Sequence, residues 1–432
     1  MKAFVTDGDQ RPALAVTRSL GRRGISVVVG EERSVSLASS SRFSSRHVTY
    51  PSPYRDREAF GRFVVELVER ESIDVVIPVS DVTTRAIGER QQAIRRHSGV
   101  AVPPLEAFDF VSDKWWLLQR AAACGISIPR TQLVAGGADV QRILPAVTFP
   151  VVVKPARSRI RTDTGWLKAS VHYADSESDL LRLYRETPYL ACHPSLIQER
   201  ITGCGTGIFV LFDRGRPLAS FAHRRIREKP PSGGVSVLCE SVAVEPELFD
   251  QADRLLGPLG WHGVAMVEYK RDRQTGQSVL MEVNGRFWGS LQLAVDAGVD
   301  FPYLTYQLAL GAPLDRPPSY LVGARSRWLL GDVDHLLLRL FGRDRALHEP
   351  APSRLRVLAD FLRLNRRHQR DDVFRRDDPR PMMRELKDYL TNSLASAIGW
   401  QTRGVGARAD ATASGRASRA HPEAAVQPGY QR

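Results

Sequence analysis

Residues 263–286 contain two runs rich in apolar and β-branched residues, separated by a polar, glycine-containing turn at 271–277. This pattern predicts an antiparallel β-hairpin. Because side chains alternate between the two faces of a strand, Glu282 and Asn284 project to the same side, and Glu268 on the facing strand can complete the set. Arg286 follows at the strand end, in phase with Glu282 and Asn284.

Two carboxylates and an amide oxygen form a hard, all-oxygen ligand set. Such a set suits Mg²⁺ or Mn²⁺ and leaves coordination positions for waters and phosphate oxygens. The guanidinium of Arg286 is suited to holding a phosphate as charge moves onto it. The spacing alone is equally compatible with the exposed polar face of an ordinary hairpin, so the rest of the chain has to decide between the two interpretations.

The composition indicates a soluble globular protein of two or three domains. The chain has 432 residues, 43% of them hydrophobic, and its formal charge of +13 comes from arginines scattered along the chain. Anionic nucleotides or acidic substrates are therefore favoured over nucleic acid as partners. The four cysteines show neither metal-ligand spacing nor a disulfide pattern, the N-terminus lacks a signal-peptide pattern, and no apolar run is long enough to span a membrane. We expect a cytoplasmic protein.

The first part of the chain alternates apolar strand patterns with helical patterns. This predicts an N-terminal doubly wound α/β domain over residues 1–110. The turn at residues 7–12 lacks the Gly-x-Gly-x-x-Gly phosphate motif, so a dinucleotide role is weakly supported. Ser80 and Asp81 follow a buried strand, where open sheets usually bind ligands, but the same residues are compatible with a helix cap.

Two lysines occur at predicted element ends. Lys114 lies in the first turn of a predicted helix, where a cation gains nothing from the helix dipole, so it either contacts an anion or is simply solvated. Lys154 ends the strand 149–153 and is a plausible phosphate contact. The loop 157–165 is rich in Arg and hydroxyl side chains, which suits either a phosphate-covering loop or an ordinary mobile hairpin.

Residues 195–201 predict a strand, and Gly203, Gly205 and Gly207 are expected to break it. Residues 208–212 and 217–223 then predict a hairpin, which leads into the dense positive charge of residues 223–229. That charge exceeds what a solvated face normally needs, although a solvated face remains the alternative. We take Arg225 from this segment as a candidate catalytic residue.

The chain changes character after residue 311. We expect a helical C-terminal extension over 312–402, with an amphipathic helix at 382–398 that docks on the protein or lies on an acidic membrane surface. Residues 403–432 are rich in Ala, Gly, Ser and Arg without periodicity, and we expect them to be disordered.

The order and spacing of Lys114, Lys154, the 198–201 segment and the hairpin set resemble the ATP-grasp superfamily, near the carbamoyl-phosphate synthase large subunit and other carboxylate-amine ligases. The resemblance covers residues 1–311. It implies an α/β domain followed by an ATP-grasp domain at 111–311, whose two subdomains hold ATP between antiparallel sheets. It further implies cofactor-binding residues Lys114, Lys154, Gln198, Glu199 and Ile201, metal-binding residues Glu268, Glu282 and Asn284, and Arg286 as stabiliser of the transferring phosphoryl group.

Three departures from the family pattern concern nucleotide binding. The phosphate-covering loop has one glycine and three arginines at 157–165, where the family is usually glycine-rich. The acidic residue that commonly holds the ribose falls on Gly205. Gln198 starts the adenine strand where a carboxylate is common.

The resemblance implies an ATP- and Mg²⁺-dependent, ADP-forming ligase. Such an enzyme activates a small carboxylate as an acyl phosphate for attack by an amine or similar nucleophile, and dimers are a fair expectation. The alternatives are an ATP-grasp kinase without a ligation step and a non-catalytic nucleotide-binding scaffold. The intact hairpin set argues against the scaffold, whereas Gly205 and the C-terminal extension argue for it.

Overall fold

The structure, a computed structural model, describes residues 1–157, 159–162, 165–168, 170–314, 319–342, 352–363 and 368–405. Residues Met1–Glu385 form one compact unit, and Leu386–Arg432 form a second. Beyond residue 405 the expectation of a disordered tail falls outside the described residues. Within the described ranges, no helix combines the length and hydropathy needed to cross a membrane.

The N-terminal domain is built on a five-stranded parallel sheet in the order β3-β2-β1-β4-β5. The central strands β1 and β2 are almost continuous apolar runs because helices cover both faces of such a sheet. This confirms the predicted doubly wound domain. Its elements are β1 (Lys2–Val5), α1 (Arg11–Gly21), β2 (Ser26–Glu31), β3 (Arg46–Thr49), α2 (Arg57–Glu71), β4 (Val75–Ile77), α3 (Asp81–Glu89), α4 (Gln91–Ile94) and β5 (Gly99–Val100).

Helices α3 and α4 follow each other directly but are not one continuous helix. The backbone of Arg90, at φ −108° and ψ 12°, leaves the helical region between them. At the other end, the Ser80 hydroxyl accepts a hydrogen bond from the Thr83 N–H as part of a capping box. Ser80 is therefore the helix cap that the sequence left open.

A second sheet is antiparallel, with four strands in the order β10-β7-β11-β6. A separate two-stranded hairpin, β8 with β9, follows β7. The elements of this region are α5 (Leu105–Ser112), α6 (Lys114–Ala123), β6 (Thr131–Val134), α7 (Val140–Ile143), β7 (Val151–Pro155), β8 (Arg159–Thr162), β9 (Gly165–Lys168), β10 (His172–Ala174), α8 (Glu177–Glu186), α9 (Pro188–Cys192) and β11 (Ser195–Glu199).

The third sheet has seven strands in the order β16-β15-β12-β13-β14-β17-β18, antiparallel except for the final pair. The hairpin predicted at 263–286 is confirmed as β15 and β16. The elements are β12 (Gly203–Asp213), β13 (Arg216–Lys229), β14 (Val235–Val242), α10 (Pro246–Leu256), β15 (Gly263–Asp272), β16 (Ser278–Asn284), α11 (Leu291–Ala297), α12 (Phe301–Ala309), β17 (Arg325–Arg327), α13 (Leu329–Phe341), α14 (Arg354–Leu362), β18 (Gln369–Asp371) and α15 (Arg380–Val405).

The expected break at the three glycines is wrong, because all three lie inside β12. Close packing of the neighbouring strand and side chains favours glycine there. A Cβ on Gly203 would lie 1.9 Å from the carbonyl oxygen of Arg271, and one on Gly205 would lie 3.0 Å from the Arg225 side chain. The small residues therefore let β12 continue under a crowded sheet surface.

The C-terminal extension contributes strands as well as helices, since β17 and β18 form one edge of the seven-stranded sheet. The segment after β18 also joins the N-terminal domain. Arg18 on α1 is fully buried and donates Nε to Asp378 at 2.8 Å and Nη2 to the Val373 carbonyl at 2.7 Å. One hydrophobic core, which includes Val5, Phe209 and Trp288, connects the first sheet to the third. This packing fixes the N-terminal domain against the end of β16.

Candidate active site

A cavity of about 620 Å³ lies between the four-stranded and seven-stranded sheets. The N-terminal domain contributes to its rim through the start of α1 and through residues 79–81. All ten residues singled out in the sequence line this one cavity: Lys114, Lys154, Gln198, Glu199, Ile201, Arg225, Glu268, Glu282, Asn284 and Arg286.

Glu268 and Glu282 are direct cross-strand partners on β15 and β16, with a one-residue bulge just after Glu268. Directly opposed residues in an antiparallel pair bring their Cβ atoms to about 5 Å. Asn284, two residues along β16, donates its amide to Glu282 Oε1 at 3.0 Å. The three oxygen-bearing side chains predicted to bind a metal therefore meet on one face of the hairpin.

Glu282 is held in its charged form. Burial by itself would raise the pKa of its carboxyl, but Lys114, the Asn284 amide and Lys154 outweigh burial and lower the pKa to about 2. The Lys114 ammonium lies 3.5 Å from Glu282 Oε2. A carboxylate that stays ionised at all working pH values is suited to cation binding.

The charge of the Glu268 carboxylate is balanced by Arg225 rather than by a lysine. Arg225 Nη2 donates to Glu268 Oε2 at 2.5 Å, and Arg225 Nη1 donates to Glu228 Oε1 at 2.9 Å. Burial opposes the charge on Arg225, yet Glu268 and Glu228 outweigh burial and raise its pKa. For Glu268, burial raises the pKa, Arg225 opposes the rise, and the like charge of Glu282 adds to it.

These residues fit a hard divalent cation. Two carboxylates that face each other across a hairpin repel, and a cation placed between them removes that repulsion. Within the described residues, no group of three or more His, Cys, Asp or Glu side chains is arranged to hold a metal. The protein donors at this site are thus two carboxylates and one amide, which leaves most positions of an octahedral ion to waters and phosphate oxygens.

Arg286 is fixed at the end of β16 by groups on two sides. Its Nε donates to Asp81 Oδ2 at 3.0 Å, and its Nη2 donates to Asn284 Oδ1 at 3.2 Å. Burial disfavours its charge, but Asp81 and Glu282 outweigh burial and raise its pKa. The guanidinium stays charged and donates to the Asn284 oxygen, so it is suited to stabilising negative charge on a bound phosphate.

The two candidate phosphate lysines approach from the four-stranded side. Lys114 is buried in the first turn of α6, where the Asp113 carboxylate caps the helix. Lys154 lies near the end of β7, and burial lowers its pKa to about 8 against the opposing pull of Glu282. A buried ammonium of this kind gains charge stabilisation when a phosphate binds beside it.

The candidate adenine strand runs along the same wall. Gln198 is buried and donates its amide to Thr131 Oγ1 at 2.9 Å, and Glu199 accepts a hydrogen bond from Arg130 Nε at 2.6 Å. Ile201 lies just beyond the end of β11 rather than inside the strand, and its carbonyl accepts from Lys270 Nζ at 3.3 Å. Most of the candidate phosphate-covering loop after Arg157 falls outside the residues whose side chains the structure describes.

A family model described as "ATP-grasp in the biosynthetic pathway with Ter operon" matches residues 191–330, the segment that carries the metal-type hairpin. An L-amino acid ligase from Bacillus licheniformis superposes with a TM-score of 0.55 at 18% identity, covering 73% of this chain and 75% of the ligase. The chain has the ATP-grasp fold. A biotin carboxylase from Campylobacter jejuni, solved as a β,γ-ATP complex, superposes with a TM-score of 0.59 at 14% identity, covering 75% and 74% of the two chains.

The sequence relatives support the same fold. A carbamoyl phosphate synthase large chain from Thermotoga petrophila is 21% identical over 347 residues, which is 75% of this chain. The chain spans only 30% of that relative's length. The resemblance inferred from the residues alone is thereby confirmed, whereas the roles of the individual site residues stay predictions.

Glu228 is a site residue that the sequence did not reveal. It lies on β13 and lines the cavity, and its Oε1 is 3.3 Å from where a Cβ of Gly205 would stand. A carboxylate thus occupies the space beside Gly205, the position where the family pattern places its ribose-binding acid. Gly205 on β12 and Glu228 on β13 are far apart in the chain, so a linear motif cannot show that they meet.

Proposed function

We propose that this chain is an ATP- and Mg²⁺-dependent, ADP-forming ligase that joins a small carboxylate to an amine. The observation that carries the proposal is the convergence of Glu268, Glu282, Asn284 and Arg286 with Lys114 and Lys154 in one cavity between two antiparallel sheets. The protein from Bacillus licheniformis that shares this fold is named as a ligase of L-amino acids, which supports the proposed reaction class.

The reaction balances in two steps. An oxygen of the substrate carboxylate attacks the γ-phosphorus of ATP, and the bond between that phosphorus and the β,γ-bridging oxygen breaks to give an acyl phosphate and ADP. The amine nitrogen then attacks the acyl carbon, the carbon–oxygen bond to phosphate breaks, and inorganic phosphate leaves. The ammonium form of the amine gives up two protons, one of which can accompany the phosphate as HPO₄²⁻.

The protein's part in these steps is positioning and charge neutralisation. Lys114 and Lys154 bind the nucleotide phosphates, and the 198–201 segment lies along the adenine, with Glu228 near the ribose. Glu268, Glu282 and Asn284 would hold Mg²⁺, or Mn²⁺, which supplies charge neutralisation to the β- and γ-phosphates. Arg286 stabilises the charge that develops on the transferring phosphoryl group.

Arg225 acts through Glu268 in this proposal. Its two terminal nitrogens donate hydrogen bonds to Glu268 and Glu228. The guanidinium therefore neutralises and orients the carboxylates beside the nucleotide. The sequence suggested a catalytic role for Arg225, and the contacts favour a positioning role.

The function is tested by measuring ADP and phosphate release from the purified chain with Mg²⁺, ATP and a panel of carboxylates, each with and without amines. We expect ADP and phosphate release to require both the carboxylate and the amine. Hydroxylamine should trap the activated carboxylate as a hydroxamate. A stable phosphorylated product formed at full rate without an amine would identify a kinase. ATP binding without turnover across the panel would identify a non-catalytic nucleotide-binding protein.

A further inference from the structure

A second, smaller cavity of about 180 Å³ lies behind the candidate metal site, between α3, α5 and the end of β16. Five residues line both this cavity and the larger one: Asp81, Lys114, Glu282, Asn284 and Arg286. The partition between the two cavities therefore consists of the side chains to which we assign the phosphoryl chemistry. A molecule in the smaller cavity would be next to the reacting centre without occupying the nucleotide's space.

The lining of the smaller cavity combines both charge signs with an apolar wall. Its ionisable groups are three carboxylates and four cationic side chains: Asp81, Asp109, Glu282, Arg85, Lys114, Arg157 and Arg286. The apolar wall comes from Val82, Phe108, Val111 and Val283. Such a lining disfavours a polyanion, because carboxylates repel it, and disfavours a purely apolar molecule, because the charged groups would lose solvent without compensation.

Helix α3 presents opposite charges one turn apart. Asp81 and Arg85 are separated by four residues, so their side chains emerge on the same helix face about 6 Å apart at Cβ. Asp81 accepts from Arg286, and Arg85 donates to Asp109. All four side chains keep some contact with solvent, between 24% and 39% of their surface. These ion pairs can therefore exchange partners with an incoming ligand.

We propose that the smaller cavity binds the nucleophile of the reaction, and that this nucleophile is an α-amino acid with a small or medium-sized apolar side chain. The ammonium faces Asp81 at the partition, the carboxylate faces Arg85, and the side chain packs on the apolar wall. This inference rests on the proposed ligase function, since it assigns the amine of that reaction. The ammonium end lies next to Arg286, where the acyl phosphate forms.

Binding of probe molecules tests the ligand chemistry. The full chain, loaded with Mg²⁺ and a non-hydrolysable ATP analogue, is titrated calorimetrically with L-alanine, L-valine and L-leucine. Analogues lacking one charge are run in parallel; for valine these are isobutylamine and isovalerate. We expect at least one amino acid to bind and its two analogues to bind at least about 10-fold more weakly. Binding of no amino acid, or equal binding of either analogue, would overturn the inference.

Two variants of one ion pair test the location. Arg85→Gln removes the proposed carboxylate partner and should weaken amino acid binding at least about 10-fold. Asp109→Asn removes the carboxylate that competes for Arg85, so binding should be unchanged or tighter. If the pair only supports the fold, both variants weaken binding alike, and that result contradicts the inference. Arg62→Gln, in an exposed Arg–Glu pair on α2, is the matched control and should bind like the wild type.

The affinity for the ATP analogue distinguishes failure of the inference about the smaller cavity from failure of the proposed function. The ATP analogue should bind the wild type, Arg85→Gln and Asp109→Asn equally, because neither residue lines the larger cavity. If the wild type binds the analogue with Mg²⁺ but no variant alters amino acid binding, only the inference about the smaller cavity fails. If the wild type does not bind the analogue, the proposed function itself has failed.

Discussion

The carboxylate of Asp81 and the guanidinium of Arg286 form a 3.0 Å ion pair between residues 205 positions apart in the chain. Asp81 is the first residue of α3 in the N-terminal domain, and Arg286 follows β16 in the third sheet. The N-terminal domain thus contributes directly to the position of the arginine to which we assign phosphoryl stabilisation. Of the two options that the sequence left open at residues 80–81, the helix cap is confirmed for Ser80, and ligand binding stays a prediction for Asp81, which lines the cavity.

Asp81→Asn is expected to lower kcat for ADP formation by roughly 10- to 100-fold while changing the KM for ATP little. The amide keeps the shape but loses the charge that orients Arg286, and small misplacements at a reacting centre have effects of this size. Steady-state kinetics with ATP varied at saturating second substrates measures both constants. Asp81→Glu should restore part of kcat; a purely structural role would instead lower the unfolding midpoint and leave kcat per folded molecule unchanged.

Arg225→Met is expected to destabilise the fold by about 3–5 kcal/mol, because it leaves the buried carboxylates of Glu268 and Glu228 without their cation. Urea denaturation followed by circular dichroism measures the loss. Arg224→Met on the same strand is the control, since the Arg224 side chain is half exposed and should change stability by less than about 1 kcal/mol. Equal effects of the two substitutions would show that the Arg225 network contributes no special stability.

We predict that the buried imidazole of His223 makes the folded protein less stable in acid. Burial, with Arg225 adding to it, lowers the pKa of this imidazole to about 3, and its Nε2 lies 2.8 Å from Ser290 Oγ. In the unfolded chain the pKa returns to about 6.5. Between these values the unfolded chain binds a proton that the folded chain does not, so stability present above pH 6.5 is lost as pH falls toward 3.

His223→Gln should keep a hydrogen bond to Ser290 without titrating. Its free energy of unfolding should therefore fall less steeply between pH 6.5 and 4.5, by up to about 1.4 kcal/mol per pH unit. Urea titrations at several pH values compare the slopes of the two proteins. Parallel slopes would contradict the prediction, because they would mean that His223 binds a proton equally well in the folded and unfolded chain.

The sequence predicts the central hairpin well because its signal is local. Alternation along β15 and β16 places Glu268, Glu282 and Asn284 on one face, and the turn between them fixes the register. The buried parallel strands of the first domain are equally readable as short apolar runs. The position of Lys154 at the end of an apolar run is also a local pattern. Lys154 lines the cavity as expected.

Contacts between segments that are distant in the chain cannot be predicted from local sequence patterns. The pairing of Arg225 with Glu268 depends on β13 and β15 flanking β12 in the same sheet, and β12 itself was misjudged because glycine normally weakens a strand. Strands β17 and β18, the last two of the sheet, have three residues each and are mostly charged, so they carry no apolar alternation. Only the assembled sheet shows why these segments are strands.

The most direct test of the account measures how Mg²⁺ changes the affinity for a non-hydrolysable ATP analogue in the wild type and in Glu282→Gln/Asn284→Ala. Glu69→Gln on the exposed side of α2 is the control. We expect Mg²⁺ to increase the affinity for the ATP analogue at least about 10-fold in the wild type and in the control. In the folded double variant, Mg²⁺ should leave the affinity for the analogue unchanged. Wild-type binding that ignores Mg²⁺, or a double variant that responds to Mg²⁺ as the wild type does, would contradict the account.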